Sequence, residues 1–365
     1  MKEIDVKDIS VHPFEYVSYK EFKIVKVPNE HVTLYVRGFV EDEKQTEPLL
    51  NAQGTTKVTF SNGDDIYFEG VLENAEIDCQ KGEVYELIVK AIGNTVLLDT
   101  EKHNRSFRDN GQTYEEIVTE VVSKEGTATY NANAKTVENI ILQYEETDWA
   151  FAKRLASHTQ DVLIPITSKS SDFHFGATDT GGASLDTEEY AVSRNFEKLR
   201  DMSAQEKPLA ESEITVYTIR GSQYHCDIGE KFTLNGKDLR VCSLVITLEE
   251  EAVVAEYKLC DKKAVSAAKA YNSAIIGLTL DGEVLEVEND DVKLHLEIDE
   301  QRGKSKNAAE AHFFNYATGY SAEGHTGWYG MLCLKKVTKC NFTSLKRTRN
   351  TLMPNRQGAP LTQIR

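Results

Sequence analysis

Apolar positions along the chain recur with two different periods. Residues 31–40 are rich in β-branched and aromatic side chains, the composition of a strand. Residues 56–60 and 66–69 flank Ser61-Asn62-Gly63-Asp64, where Asn-Gly offers the positive φ angles of a tight hairpin turn. In 84–92, Tyr85, Leu87 and Val89 alternate with Glu86 and Lys90, the pattern of a half-buried strand. The first hundred residues therefore read as β.

Helical spacing follows. Thr113 and Glu116 form a capping box, and Tyr114, Ile117, Val118, Val121 and Val122 then fall on one helical face. A second helix is expected over about 148–158, with Trp149, Ala152 and Ala156 on one face and Phe151 over Leu155. The acidic pairs Glu115/Glu116 and Glu145/Glu146 read as solvated helix faces rather than acid–base machinery, because adjacent residues on a helix point apart.

Strand patterns resume at 162–166 and 173–175, while the polar, acidic stretch 176–210 reads as a long loop. There Asp179-Thr180-Gly181 matches the aspartic-protease tripeptide, but its flanks are loop-like, and a protease needs that turn between hydrophobic strands with a second Asp facing it. Further strands are expected at 214–220, 244–249 and 253–259, with a hairpin over 229–241 turning at Asn235-Gly236; they complete a barrel or sandwich. The Ala/Lys-rich stretch 262–274 predicts a short helical connector, and 275–280, 284–287 and 292–298 are spaced like the strands of a small barrel.

Composition narrows the class. A chain of 365 residues with 40% hydrophobic content has room for two to four domains and is too apolar for wholesale disorder. No stretch has the apolar length of a membrane span, and the N-terminal residues carry no secretory signal pattern. The net charge of −17 argues against a general nucleic-acid binder. Cys79, Cys226, Cys242, Cys260, Cys333 and Cys340 form no CxxC pair and read as free thiols in a reducing compartment; the histidines show no zincin spacing, so no metal or cofactor is expected. From Met331 onward there are eight basic residues and no Asp or Glu, a basic tail on an acidic body.

The segment Tyr144-Glu145-Glu146-Thr147-Asp148-Trp149-Ala150-Phe151-Ala152-Lys153-Arg154-Leu155-Ala156 resembles the Y-x-E-S/T-D-x-x-F-x-x-R-L-x hallmark of the hub–spike proteins of contractile injection systems, the VgrG and phage late control D family. Upstream, Arg105-Ser106-Phe107 and 113–118 resemble the family's R-S-F/Y-Q…S-x-x-E-I-V passage, and 228–236 is similar to its glycine-turned hairpin; the likeness covers most of 15–330. It implies a mainly β fold with a small α insertion, two β-barrel-like hub domains and then a small OB-like barrel. The expected division is 1–100 for the first hub barrel, 101–160 for the α-containing insertion, 161–261 for the second hub barrel, 262–274 for a connector, 275–330 for an incomplete OB-like barrel and 331–365 for the basic tail. One departure is that 277–297 lacks the R-V-R-V-x-F/W strand of the family's OB domain.

The resemblance also implies a homotrimer that caps a tail tube and helps puncture an envelope, partnered by tube and baseplate proteins and by effectors or a tip protein, with no nucleic acid. It would be assembled in the cytoplasm without a signal peptide and then deployed as part of a particle. Within the motif, Tyr144, Glu146, Asp148, Trp149, Phe151, Arg154 and Leu155 are structural: Trp149, Phe151 and Leu155 pack the helix, Asp148 suits the helix N-terminus, and Arg154 pairs with Asp148 or Glu146. No catalytic residue is expected; the alternatives are a spike-associated peptidoglycan hydrolase and a carbohydrate-binding β-protein. The family continues past Gly327-Trp328-Tyr329 with an acidic strand and a needle, whereas this chain turns basic. With suitable synonymous codons for 333–358, a frame read one base earlier can spell a segment beginning PEEGDEVQLYFPE, similar to that continuation. The tail is therefore expected to be out of frame or disordered.

Overall fold

The computed structural model describes residues 2–41, 46–80, 84–107, 111–131, 134–137, 140–221, 223–276, 278–288 and 291–302, with the strand segments 313–315, 339–343 and 363–364. The elements run β1 (Lys2–Glu3), β2 (Ile9–His12), β3 (Ser18–Lys26), β4 (Thr33–Val40), α1 (Thr46–Leu50), β5 (Lys57–Asn62), β6 (Asp65–Gln80), β7 (Val84–Gly93), β8 (Lys102–Phe107), α2 (Tyr114–Val122), β9 (Ala128–Tyr130), β10 (Ile141–Thr147) and α3 (Asp148–His158). They continue β11 (Leu163–Pro165), β12 (Phe173–Phe175), β13 (Ala183–Leu185), β14 (Ala191–Arg194), α4 (Phe196–Met202), β15 (Thr215–Gly221), β16 (Gln223–Tyr224), β17 (Lys231–Leu234), β18 (Lys237–Glu249), β19 (Ala252–Cys260), β20 (Thr279–Glu288), β21 (Asp291–Leu296), β22 (Phe313–Asn315), β23 (Lys339–Thr343) and β24 (Gln363–Ile364). Two compact units result: a larger one of 1–100, 118–133 and 148–270, and a smaller one of 101–117, 134–147 and 271–365.

The larger unit is built on a twelve-stranded sheet whose path runs β14-β15-β19-β18-β3-β4-β7-β6-β5-β2, with β17 and β13 attached at β18. Strands from 1–100 and from 161–261 thus share one sheet, joined where β3 pairs antiparallel with β18 (Ile24 opposite Ile246, Lys26 opposite Leu244). The period-2 alternation expected of strands is plain in β4, whose Leu34, Val36 and Val40 are buried while Thr33 is exposed. Those residues join Phe22, Ile24, Phe60, Leu87, Val89, Phe232, Val241, Ile246 and Tyr257 in one hydrophobic core. Gly70 is fixed by close approach: a Cβ there would lie 2.1 Å from the Ile92 carbonyl oxygen on the neighbouring strand.

Both Asn-Gly hairpins form, by different turns. Asn235 and Gly236 take φ of 48° and 76°, the double positive φ of a type I′ turn. At the first hairpin only Gly63 is positive, at 58°, because Asn62 remains the last ladder residue of β5 and its Nδ2 donates to the Asp5 carbonyl at 2.6 Å. Other expectations are corrected. The 176–210 stretch is not one loop: it carries β13, β14 and α4, the last capped by Asn195, whose Oδ1 accepts from Lys198 N at 2.9 Å. The 262–274 stretch is not an α-helix: it has only short 3-10 turns at Lys262–Ala264 and Ser273–Ile275. Its backbone bonds to side chains elsewhere in the unit instead, Ala270 N to Ser157 Oγ at 2.9 Å and Lys269 N to Gln205 Oε1 at 3.2 Å. The segments 275–280 and 284–287 are not two strands: Ile275 ends a 3-10 turn, and Thr279 and Leu280 run on into 284–287 as the single strand β20.

On β7, the Glu86 carboxylate is buried and receives Arg37 Nε at 2.6 Å, Arg37 Nη2 at 3.2 Å and Lys20 Nζ at 3.0 Å. The Arg37 hydrogen bond, above all, holds its carboxyl below the usual 4.5. A carboxyl depressed on folding adds stability that is fully present above the unfolded value and is lost as pH falls through the folded one. Thermal unfolding of Glu86→Gln measured from pH 5 to pH 3 is therefore expected to show a shallower loss of melting temperature than the parent chain; parallel curves would contradict this.

In the smaller unit β8 pairs with β10, and a five-stranded sheet runs β22-β21-β20-β23-β24. Leu280, Val284, Val292, Leu294 and Leu296 pack with Leu142 in its core. The departure noted at 277–297 falls on the antiparallel strands β20 and β21: Val292, Leu294 and Leu296 are buried, as is His295 between them, while Lys293 pairs with Glu286 at 3.0 Å. Of the basic tail, Lys339–Thr343 pairs antiparallel with β20 and Gln363–Ile364 pairs with β23. The remainder of 331–365, on which the out-of-frame expectation chiefly falls, lies outside the described residues.

Candidate functional site

The chain passes from the smaller unit into the larger at Thr147–Asp148, inside the thirteen-residue motif. Its first part is a strand. Tyr144 and Glu146 lie on β10, so the Glu145/Glu146 pair is on a strand and not on a helix face. The ladder to β8 slips between Gln143 and Glu146, and Glu145 takes a positive φ of 47°, its N–H donating to Asn104 Oδ1 at 2.8 Å. Gln143, fully buried, fills the bulge: its Nε2 donates to the Glu146 carbonyl at 3.1 Å and its Oε1 accepts from Arg105 Nη1 at 3.0 Å. Next to Arg105, the buried Asp299 carboxylate accepts the Ser106 N–H at 2.8 Å and the Ser106 hydroxyl. The same unit holds the capping box of α2: Glu116 N donates to Thr113 Oγ1 at 3.2 Å and Thr113 N to Glu116 Oε2 at 2.8 Å.

The second part is α3. Asp148 opens it, where a carboxylate suits the helix dipole. Phe151, Ala152, Leu155 and Ala156 are fully buried, and Trp149 sits between His31 (ring centroids 4.9 Å) and Phe173 (5.4 Å, edge-on). Burial pushes the His31 imidazole below its ordinary pKa, with the Asp99 hydrogen bond opposing. The Arg154 guanidinium is buried and lies 5.1 Å from the centre of the Phe151 ring. Gln160, at φ 61°, ends the helical stretch with a left-handed residue whose side chain exchanges two hydrogen bonds with the Lys207 backbone, at 3.0 and 2.7 Å. The apolar side chains Trp149, Phe151, Ala152, Leu155 and Ala156 of the motif's helix are thus all buried.

Charged groups elsewhere in the larger unit are also tied down. Asp179, of the protease-like tripeptide, is held by Lys262 Nζ at 2.8 and 2.7 Å and by Arg240, and the Lys262 hydrogen bond chiefly lowers its carboxyl. That leaves a structural clamp on a loop in place of a carboxylate dyad. Lys26, the last inner residue of β3, is buried at 1% exposure; its ammonium donates to Asp227 at 2.6 Å and Thr167 Oγ1 at 2.8 Å. Sequence reading missed this pair, and the only signal was a lysine in register with Phe22 and Ile24. A hollow of about 220 Å³ between Leu185, Ile219, Arg220, Gln223, His225 and Tyr257 is smaller than the roughly 300–1,000 Å³ of most ligand pockets. Its arginine is occupied by Glu249 and, at 3.3 Å, by Glu256. Among the described residues no group of three or more His, Cys, Asp or Glu is placed to hold a metal, and no helix is long and apolar enough to cross a membrane.

The outer edge of the large sheet is different in kind. Among the described residues β14 lies at the end of the strand path, pairs with β15, and is exposed at all four positions. Tyr190, Val192 and Phe196 are 43%, 55% and 47% exposed there. A bare strand edge with apolar side chains is a template for another strand.

Residues 30–160 match the family model described as the phage tail baseplate hub (GPD). No curated protein matches the chain. Among solved structures, the Escherichia coli c3393 protein, described as a component of the type VI secretion system similar in structure to the T4 bacteriophage tail proteins gp27 and gp5, aligns at a TM-score of 0.62 with 10% identity, over 92% of this chain and 95% of that one. The 43 kDa tail protein of prophage MuSo2 from Shewanella oneidensis aligns at 0.52 with 12% identity, over 72% and 98%. A chain of the Francisella PdpA–VgrG complex aligns at 0.52 with 8% identity, over 93% and 74%. At these identities the structural likeness establishes the fold, a mainly β fold shared with these tail and secretion-system proteins.

Proposed function

We propose that this chain, a relative of the phage tail baseplate hub proteins over residues 30–160, is a structural hub–spike subunit at the tip of a phage tail or contractile injection machine. The family match is the observation that carries the reading; the fold likeness over 92% of the chain supports it. The work is mechanical. Three copies close into a ring that continues the tail tube, and the subunit transmits the thrust that drives the tip through an envelope. Self-association is supported by the bare β14 edge, since a ring of sheets leaves no edge to solvent. The remaining partners are tube and baseplate proteins and a protein carried at the tip; the likeness to a chain of the Francisella PdpA–VgrG complex supports a protein partner. Assembly takes place in the cytoplasm, with release as part of a particle.

Within this reading the motif residues Tyr144, Glu146, Asp148, Trp149, Phe151, Arg154 and Leu155 are structural, and Arg154 pairs with a carboxylate, Asp148 or Glu146, to fix the helix. No chemical step is required of the chain. Deleting the gene in its host and imaging the particles tests the role: sheathed tails without a tip, or no assembled tails, are expected. Complete, infective or lytic particles from the deletion strain would overturn it.

A further inference from the structure

Two of the cysteines stand together where β18 and β19 meet. The ladder pairs Arg240 with Cys260 and Val241 with Leu259, then slips, so that Ser243 opposes Lys258 and Cys242 is the extra residue of a bulge. The slip leaves Cys242 one ladder position from Val241 and Cys260 one from its partner Leu259, so the two thiols stand close enough on adjacent strands to interact. Cys242 Sγ also reaches the Lys258 carbonyl at 3.2 Å. Cys242 is partly exposed and Cys260 is buried; both are free thiols. The pair is asymmetric. The contact with Cys260 chiefly lowers the pKa of Cys242, with the Lys258 and Lys198 ammonium groups in electrostatic reach. Its counterpart is raised by the same contact and by burial. Neighbouring thiols on adjacent strands need only local movement to reach disulfide geometry, which tolerates Cα separations up to roughly 7 Å.

We infer that Cys242 and Cys260 are a redox-active dithiol that closes to a disulfide stapling β18 to β19 when the protein meets a low-molecular-weight disulfide. The Cys242 thiolate, the accessible and more acidic partner, attacks one sulfur of the oxidant; a mixed disulfide forms and one small thiolate leaves. Cys260 then gives its proton to solvent, and its sulfur attacks Cys242 Sγ. The intrachain S–S bond forms as the second small thiolate departs. The protein loses two electrons, and the oxidant gains them as its own S–S bond breaks. The bridge closes a loop containing the β18–β19 turn, so the oxidised form resists unfolding better than the reduced form. A chain assembled among reduced thiols and released into oxidising surroundings would gain this staple after assembly. The timing of closure rests on the hub reading; the bridge itself does not, since its geometry lies within one pair of adjacent strands.

The test uses the full chain, reduced and then incubated with oxidised glutathione, blocked with N-ethylmaleimide, digested and mapped by mass spectrometry. A linked Cys242–Cys260 peptide two hydrogens lighter than the unlinked pair is expected, with a melting temperature raised by about 2–8 °C over the reduced chain. Cys260→Ser should trap glutathione on residue 242, and Cys242→Ser should leave residue 260 unoxidised and the melting temperature unchanged by the oxidant. Glutathione on Cys242 of the parent chain with Cys260 still carrying maleimide would overturn the proposal. So would maleimide on both cysteines after oxidation that modifies other thiols.

Discussion

Asp227→Ala is expected to lower the stability of the larger unit by about 3 kcal/mol, a drop in melting temperature of roughly 6–12 °C for a unit of this size. Lys26 lies at the inner end of β3, below Phe22 and Ile24, and is 1% exposed. Its ammonium has two side-chain oxygens within reach, Asp227 at 2.6 Å and Thr167 at 2.8 Å. Removing the carboxylate leaves a buried cation on one hydroxyl, and an uncompensated buried charge costs far more than the intact pair contributes. The double replacement Lys26→Met with Asp227→Asn takes away cation and carboxylate charge together and is expected to recover most of the loss. Scanning calorimetry on the three proteins decides it; a double variant no better than Asp227→Ala would mean the loss came from the loop around Asp227, whose Oδ1 also accepts the Ile228 N–H at 2.7 Å.

Phe151→Ala is expected to cost about 3–5 kcal/mol, the range for an aromatic ring deleted from a fully packed site. Phe151 has no exposed surface, and its ring also lies under the Arg154 guanidinium, so truncation opens a cavity and removes the contact beneath a buried charge. Lys153→Ala, two positions on, is the control: its side chain is 41% exposed and its carboxylate partner Glu30 is 3.5 Å away, so the change should stay within ~0.5 kcal/mol. Denaturant melts of the two variants test the claim that the motif acts through packing. Equal, small effects would contradict it.

Legibility in the sequence followed the range of the interactions. Strands with a wet face and a buried face, the Asn235-Gly236 turn, the Thr113/Glu116 box and the helix at Asp148–His158 rest on neighbours within a few residues, and each was readable from the chain alone. Features set by distant partners were not. Nothing local in 262–274 signals that Ser157 and Gln205 take up its N–H groups and keep it from coiling. The β14 strand exists because β15 is there to pair with it, and its own residues look like loop. Lys26 and Asp299 are charges at buried positions, each explained by a partner far along the chain, 201 and 193 residues away. The motif was legible as a family resemblance, but the bulge at Glu145 that ends its strand was hidden, because it depends on Asn104 and Gln143.

The central claim is that this chain is a ring-forming part and not a solitary catalyst or sugar-binding module, and its mass in solution speaks to that most directly. Multi-angle light scattering on the purified full chain is expected to give a particle three times the 41.0 kDa chain mass, holding together on dilution to low micromolar concentration. A stable particle of one chain mass at every concentration would contradict it.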